Sequence, residues 1–267
     1  MCYYNGQKVA KAEFIRLKEL EKLVASYDFL NAPIQNGFDY ANNVVLKANA
    51  DKTDFDVVQM EWGFIPSYLE TREDVNRFRF GYKNDNGQFQ PPLITLNAVS
   101  EELLLPKKIF RNAALNRRCL VLSSGFYEWR HIFPLNKRTG QPVKTAVKYP
   151  YFISLKDREY FFMAGIWQPW SDKETGEYVE SFSIITTEAN TMMEQIHNSK
   201  MRMPTILNEE LAYEWLFGNL SEERISEIAR SKFPATEMEA HTIEKDFRSA
   251  PDPTFEYVYA DLPELAL

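Results

Sequence analysis

The stretch Arg117-Arg118-Cys119-Leu120-Val121-Leu122-Ser123-Ser124-Gly125-Phe126-Tyr127-Glu128-Trp129 decides the reading of the fold. Cys119 to Leu122 is a short apolar run closed by serines and a glycine, which reads as a strand. Gly125 then opens a second run in which one glutamate stands between two aromatics. Similar runs recur at 55–65, 93–96, 149–155, 160–166, 182–187 and 204–207. Helices are expected at 9–27, where Phe14, Leu17, Leu20, Leu23, Val24 and Tyr27 fall at helical spacing, and at 107–116. Two more should begin at the capping residues Asn208 and Ser221, the first stopping before Gly218. Residues 31–53 read as loop with short extended pieces, 71–92 as a surface excursion, and the tail from Phe233 as loosely packed. Many short strands with few helices predict an α+β fold, a mostly antiparallel barrel-like sheet with flanking helices. No repeat or composition shift divides the chain. A single domain over 1–267 is expected, with 217–267 as a C-terminal extension packed on it.

A chain of 267 residues, 45% hydrophobic, can bury a sizeable core. No apolar run approaches the roughly 20 residues of a membrane span, and the start lacks the apolar segment of a secretory signal. Cys2 and Cys119 are the only cysteines, so there is no disulfide framework, and Cys119 reads as a buried small hydrophobe. A reducing, cytoplasmic setting and a monomer are expected. The scattered His and Cys residues have no metal-ligand spacing, and neither metal nor cofactor is expected. Net charge is −7, yet residues 105–150 hold ten Lys/Arg against Glu128 alone, a local +9 on a body of −16. Such a basic field suits a phosphate-bearing partner, or a solvated loop paired with acids elsewhere.

Cys2 follows the initiator methionine directly. Without Met1 it would carry an amine and a thiol two carbons apart. The amine can condense with an aldehyde to an imine, and the thiol can close a thiazolidine ring on the same carbon. Four polar residues beside apolar runs are candidates for the chemistry: Asn97, Glu128, His197 and Arg202. Glu128, between Tyr127 and Trp129, is a desolvated proton-transfer group or the partner of Arg117, Arg118 or Arg130. An asparagine after a strand is commonly a turn former, and a histidine after an apolar helix commonly ends it.

In chain order stand Met1-Cys2, Trp62-Gly63-Phe64-Ile65-Pro66, Asn97-Ala98, Gly125-Phe126-Tyr127-Glu128-Trp129, Thr186-Thr187-x-Ala189-Asn190, Ile196-His197 and Arg202-Met203-Pro204. This series resembles the SOS response-associated peptidase family of abasic-site processing proteins, over roughly residues 1–216. The resemblance implies self-removal of Met1, binding of single-stranded DNA at abasic sites, and a covalent thiazolidine link from Cys2 to the ring-opened sugar. It also implies that Asn97 orients the terminal amine and that Glu128 and His197 move protons.

The sequence departs from the family pattern where Tyr3 and Tyr4 replace Gly-Arg, where Val99 replaces an arginine, and where Asn198-Ser199-Lys200-Met201 lengthens the loop before Arg202. Arg117, Arg118, Lys200 and Arg202 are the expected phosphate contacts, and Trp62, Trp129 or Tyr4 the expected base-stacking groups. Two other readings stay open: an N-terminal-nucleophile cysteine peptidase or amidohydrolase, and a non-catalytic single-stranded DNA-binding module.

Overall fold

The quoted stretch crosses between two sheets. Arg118–Ser123 is a strand of a closed barrel, and Gly125–Ile132, one residue later, belongs to a second, five-stranded sheet. The crossing needs Gly125, because a Cβ there would lie 2.1 Å from the Phe152 ring and 2.9 Å from the Ile153 carbonyl oxygen. The computed structural model describes residues 2–9 and 11–266.

The barrel closes through Asn42–Ala48, Phe55–Trp62, Tyr178–Glu188, Phe161–Ser171 and Arg118–Ser123, each paired to the next and the last to the first. All contacts are antiparallel except the seam, Ser181↔Glu61 and Phe182↔Trp62, which is parallel. Asn97–Val99 adds a second parallel pairing, beside Ile184 to Thr186. Alternation along Arg118–Ser123 explains its uninterrupted apolarity. Cys119 and Val121 join one core cluster with Met60, Trp62, Phe182 and Cys2, while Leu120 and Leu122 join the other, under the C-terminal helices. Those helices are Glu209–Phe217, capped by Asn208, and Glu222–Ala229, capped by Ser221, as the sequence predicts.

The second sheet runs Met238–Thr242, Val147–Leu155, Gly125–Ile132, Tyr4–Lys8, Asn31–Asn36, all antiparallel. Two fully buried amides pin its N-terminal strand to the barrel. The Gln7 amide nitrogen donates to the carbonyls of Val44 and Leu122, and its oxygen accepts from the Val44 N–H, all at 2.8 Å. Asn5 donates to the Leu122 carbonyl at 3.1 Å and accepts from Ser123 Oγ at 2.7 Å. The residues just ahead of this strand are therefore held by the barrel itself.

Several local expectations are corrected. The 9–27 helix is instead a hairpin, Phe14–Leu17 with Leu20–Leu23, turning at Lys18, whose φ is 54°. The apolar residues that suggested helical spacing face one another across it, as Phe14↔Leu23 and Leu17↔Leu20. Docking fixes the choice, with the Tyr160 hydroxyl bonding the Phe14 carbonyl and the Arg16 N–H. The strand expected at 93–96 lies at Asn97–Val99, and Leu93 is exposed. Within 71–92 a capped helix forms, Arg72–Phe80. The tail is integral: Met238–Thr242 edges the second sheet, and buried Phe247 stacks on Tyr127 at 5.1 Å. No helix among the described residues is long and apolar enough to cross a membrane.

Candidate active site

Four segments distant in sequence bring Cys2, Asn97, Glu128 and His197 to the same end of the second sheet. Cys2 precedes the pinned strand Tyr4–Lys8 and has no exposed surface. Asn97, on the short strand beside Ile184, donates from Nδ2 to the Cys2 carbonyl at 2.9 Å. Its buried Oδ1 has no hydrogen-bond partner among the described residues. The contact made is thus to the carbonyl of residue 2, with one amide acceptor held in reserve beside it.

Glu128 sits mid-strand in Gly125–Ile132 and is 5% exposed. Burial pushes its carboxyl up to about 7, so near neutrality both protonation states are populated, as a proton-transfer group requires. None of Arg117, Arg118 and Arg130 pairs with it; their hydrogen bonds go elsewhere. His197 ends the short helix Thr191–Ile196, which Asn190 caps by accepting from the Met193 N–H. The histidine is equally buried. Its Nδ1 lies 2.8 Å from the Arg202 carbonyl, which can only accept, so Nδ1 carries the proton. That leaves Nε2 as a base, 3.8 Å from Glu128 Oε2. Burial holds the imidazole down to about 4, so the pair is a neutral imidazole beside a carboxyl that exchanges its proton near pH 7, rather than a fixed ion pair. The same burial, with the Glu128 charge nearby, pushes the Cys2 thiol well above the usual range. The thiol is therefore protonated until a base takes its proton or its surroundings open.

A cleft of about 390 Å³ gives onto Glu128 and His197 and is lined by Tyr3, Trp129, His131, Lys148, Ser199 and Lys200. Of the expected DNA contacts, Trp129 and Lys200 line this cleft. Lys148, read in the sequence only as one of the ten cations of 105–150, and His131, which sequence reading missed, are cross-strand neighbours. The period of two from Trp129 to His131, and hairpin pairing to Lys148, was the signal available. Neither Lys148 nor Lys200 makes an ion pair among the described residues, and both are exposed.

Of the other expected DNA contacts, Trp62 and Arg118 are corrected because both are buried, while Arg117, Arg202 and Tyr4 are partly exposed. Trp62 has no exposed surface; its indole donates to the Leu96 carbonyl at 3.0 Å and its ring stacks on Phe182. Arg118 is buried and spends its guanidinium on the carbonyls of Ala114, Leu115, Trp215 and Gly218, tying two helix ends together. Arg117 bonds the Trp167 carbonyl and the side chains of Asn112 and Gln168. Arg202 is held by both oxygens of Glu101 at 2.8 Å, and its carbonyl, not its charge, serves the site through His197. Tyr4 packs edge-on against Trp129 at 5.3 Å. Of the basic stretch, Lys108 and Arg111 pair with Glu102 and Glu222, whereas Lys137, Arg138 and Lys144 are exposed in the loop joining the cleft's two strands. Met1, whose removal the resemblance implies, lies outside the described residues. Among those described, no group of three His, Cys, Asp or Glu residues could hold a metal ion.

The chain is 30% identical over 185 residues to the abasic site processing protein YoqW of Bacillus subtilis, covering 69% of this chain and 68% of that one. It is 29% identical over 246 residues to the abasic site processing protein HMCES of Rattus norvegicus, covering 82% of this chain and 61% of that one. A crystal structure of a protein from Bacteroides thetaiotaomicron superposes with a TM-score of 0.72 at 29% identity, over 96% of this chain and all of the other. The model of the SOS response associated peptidase (SRAP) family matches residues 2–250, and the chain belongs to that family.

Proposed function

We propose that this protein processes abasic sites in DNA, the activity its relatives YoqW and HMCES are named for, and does so by linking Cys2 covalently to the lesion. The observation that carries the reading is the convergence of Asn97 on Cys2 beside a buried carboxyl and imidazole 3.8 Å apart. Residue 2 of the encoded chain is acylated by Met1 and has no free amine, so loss of Met1 comes first. The freed amine then attacks the ring-opened sugar aldehyde, forming a C=N bond and releasing water. Glu128, able to give and take a proton near neutrality, assists ring opening and protonates the departing oxygen. The orphaned Oδ1 of Asn97 is an acceptor suited to an N–H of that amine. Sulfur then adds to the imine carbon; its proton leaves by way of His197 Nε2 and the nitrogen is reprotonated, closing the thiazolidine. The ring consumes the imine, which would otherwise promote elimination of the 3′ phosphate and strand scission.

A strand reaches the cleft past Lys148 and Lys200, with Trp129 and Tyr3 as flat partners for unpaired bases, each such stack contributing roughly 1–3 kcal/mol. The exposed Lys137, Arg138 and Lys144 extend the positive surface along the adjoining loop. Intact mass of the matured chain after mixing with an abasic oligonucleotide tests the proposal. The expected product is protein plus oligonucleotide minus one water, absent with Cys2→Ala. No adduct with the native chain, or an equal adduct with Cys2→Ala, contradicts it. Turnover of unrelated peptides without adduct would favour the peptidase reading instead.

A further inference from the structure

In the loop after His197, Asn198 reaches out to the neighbouring sheet. Asn198 accepts from the His131 N–H through Oδ1 at 2.9 Å and donates to the His131 carbonyl through Nδ2 at 2.8 Å. Its amide thus imitates a neighbouring strand. The place is open because Tyr4–Lys8 pairs with Gly125–Ile132 at Asn5↔Phe126 and Gly6↔Gly125, so among the described residues this edge has no backbone partner near His131. Other hydrogen bonds of the loop among the described residues run within 189–202. Lys200 and Met201 donate to the His197 carbonyl, Ala189 donates to Met201, and His197 Nδ1 donates to Arg202. The Asn198 amide therefore ties the loop that carries His197 to the strand that carries Glu128, three residues from the bond.

We propose that Asn198 is the positioning residue that sets the separation of the Glu128 carboxyl from the His197 imidazole. The inference rests on the function proposed above, but its spectroscopic test does not. Asn198→Ala removes both bonds, and Asn198→Asp keeps the acceptor while losing the donor. Three quantities are measured on each matured protein: the crosslinking rate at saturating abasic single-stranded DNA, the affinity for the intact oligonucleotide, and the His197 imidazole ¹⁵N shifts at one fixed pH without DNA. With only three histidines in the chain, His197 can be assigned by substitution.

Misplacement of a reacting group by an ångström can cost up to about 100-fold, so Asn198→Ala should lower the saturated rate by about tenfold or more. Affinity for intact DNA should change by less than about twofold, which separates a positioning loss from a binding loss. The Nε2 shift, which reports the facing carboxyl, should move while Nδ1, still bonded to Arg202, should not. Asn198→Asp should fall between the two. An unchanged rate with unchanged Nε2 shift overturns the inference, as does a rate loss that only follows the lost folded fraction in a thermal melt. If the native chain forms no crosslink, the proposed function fails while the imidazole shifts still decide this inference.

Discussion

Two buried polar clusters at opposite ends of the N-terminal strand differ in one respect. Around Gln7 and Asn5 the polar atoms of both amides are bonded, at 2.7 to 3.1 Å, to barrel backbone or to Ser123. Around Cys2 the burial is as deep, yet Asn97 Oδ1 is unbonded among the described residues, and Glu128 and His197 stand 3.8 Å apart. A satisfied buried network stiffens a fold, whereas one that keeps an acceptor open, as Asn97 does among the described residues, has room for a reacting atom. The strand joins the two, so the rigid end holds the reactive end in place.

Separate substitutions should break the comparison cleanly. Glu128→Gln removes the proton-transfer group at nearly constant shape and should slow crosslinking by about 10²–10⁴-fold while leaving the melting temperature within a few degrees. Gln7→Ala should do the reverse. Orphaning the Val44 and Leu122 groups should cost about 1–3 kcal/mol of stability, with crosslinking by the folded fraction unchanged. Equal effects of the two variants on both readouts would erase the distinction.

The pH dependence of stability sharpens it. The folded Glu128 carboxyl is raised to about 7, so between the usual carboxylate range and pH 7 the native state binds more protons than the unfolded one, and stability falls as pH rises. The folded His197 is lowered to about 4, so between there and its ordinary 6.5 the unfolded state binds more protons, and stability rises with pH. In the native chain these slopes oppose each other over their common window. Glu128→Gln should expose the rising slope and His197→Ala the falling one, each amounting to roughly 1–3 kcal/mol in melts from pH 4 to 7. Parallel curves for all three proteins would show that the pair does not titrate as its burial requires.

The smallest effects concern the cations. Lys148→Ala and Lys200→Ala should each weaken single-stranded DNA binding several-fold and reduce the salt dependence by about one counterion's worth, with stability unchanged. Arg118→Ala should leave DNA affinity alone and lower stability, because four carbonyls lose their donor. A DNA defect confined to Arg118→Ala would reverse that assignment.

Arg118–Ser123 was readable because both its faces are covered, so Cys119–Leu122 carries no polar interruption, whereas the barrel strand Asn42–Ala48 was read only as part of a loop with short extended pieces. The hairpin at Phe14–Leu23 was not readable, since residues three apart face each other both on a helix and across a two-residue turn. Docking on Tyr160 made the choice, and no local pattern reveals it. The integral tail was missed because Met238–Thr242 becomes a strand only beside Val147–Leu155. Cys2, Asn97, Glu128 and His197 were found through their order along the chain, each being unremarkable alone. Arg118 and Trp62 misled because charge and aromaticity do not reveal direction. Arg118 lies in a basic run and Trp62 beside a Gly-Phe-Ile-Pro turn, yet both side chains point into the protein and bond backbone carbonyls.

The most direct test of the central claim is the chemical state of the tryptic peptide Cys2–Lys8 after reaction with abasic single-stranded DNA and nuclease digestion. The account predicts the sugar remnant on this peptide, joined with loss of one water, and a Cys2 sulfur that iodoacetamide no longer alkylates. A remnant on a lysine elsewhere, or on Cys2 with the thiol still free to alkylate, would contradict it.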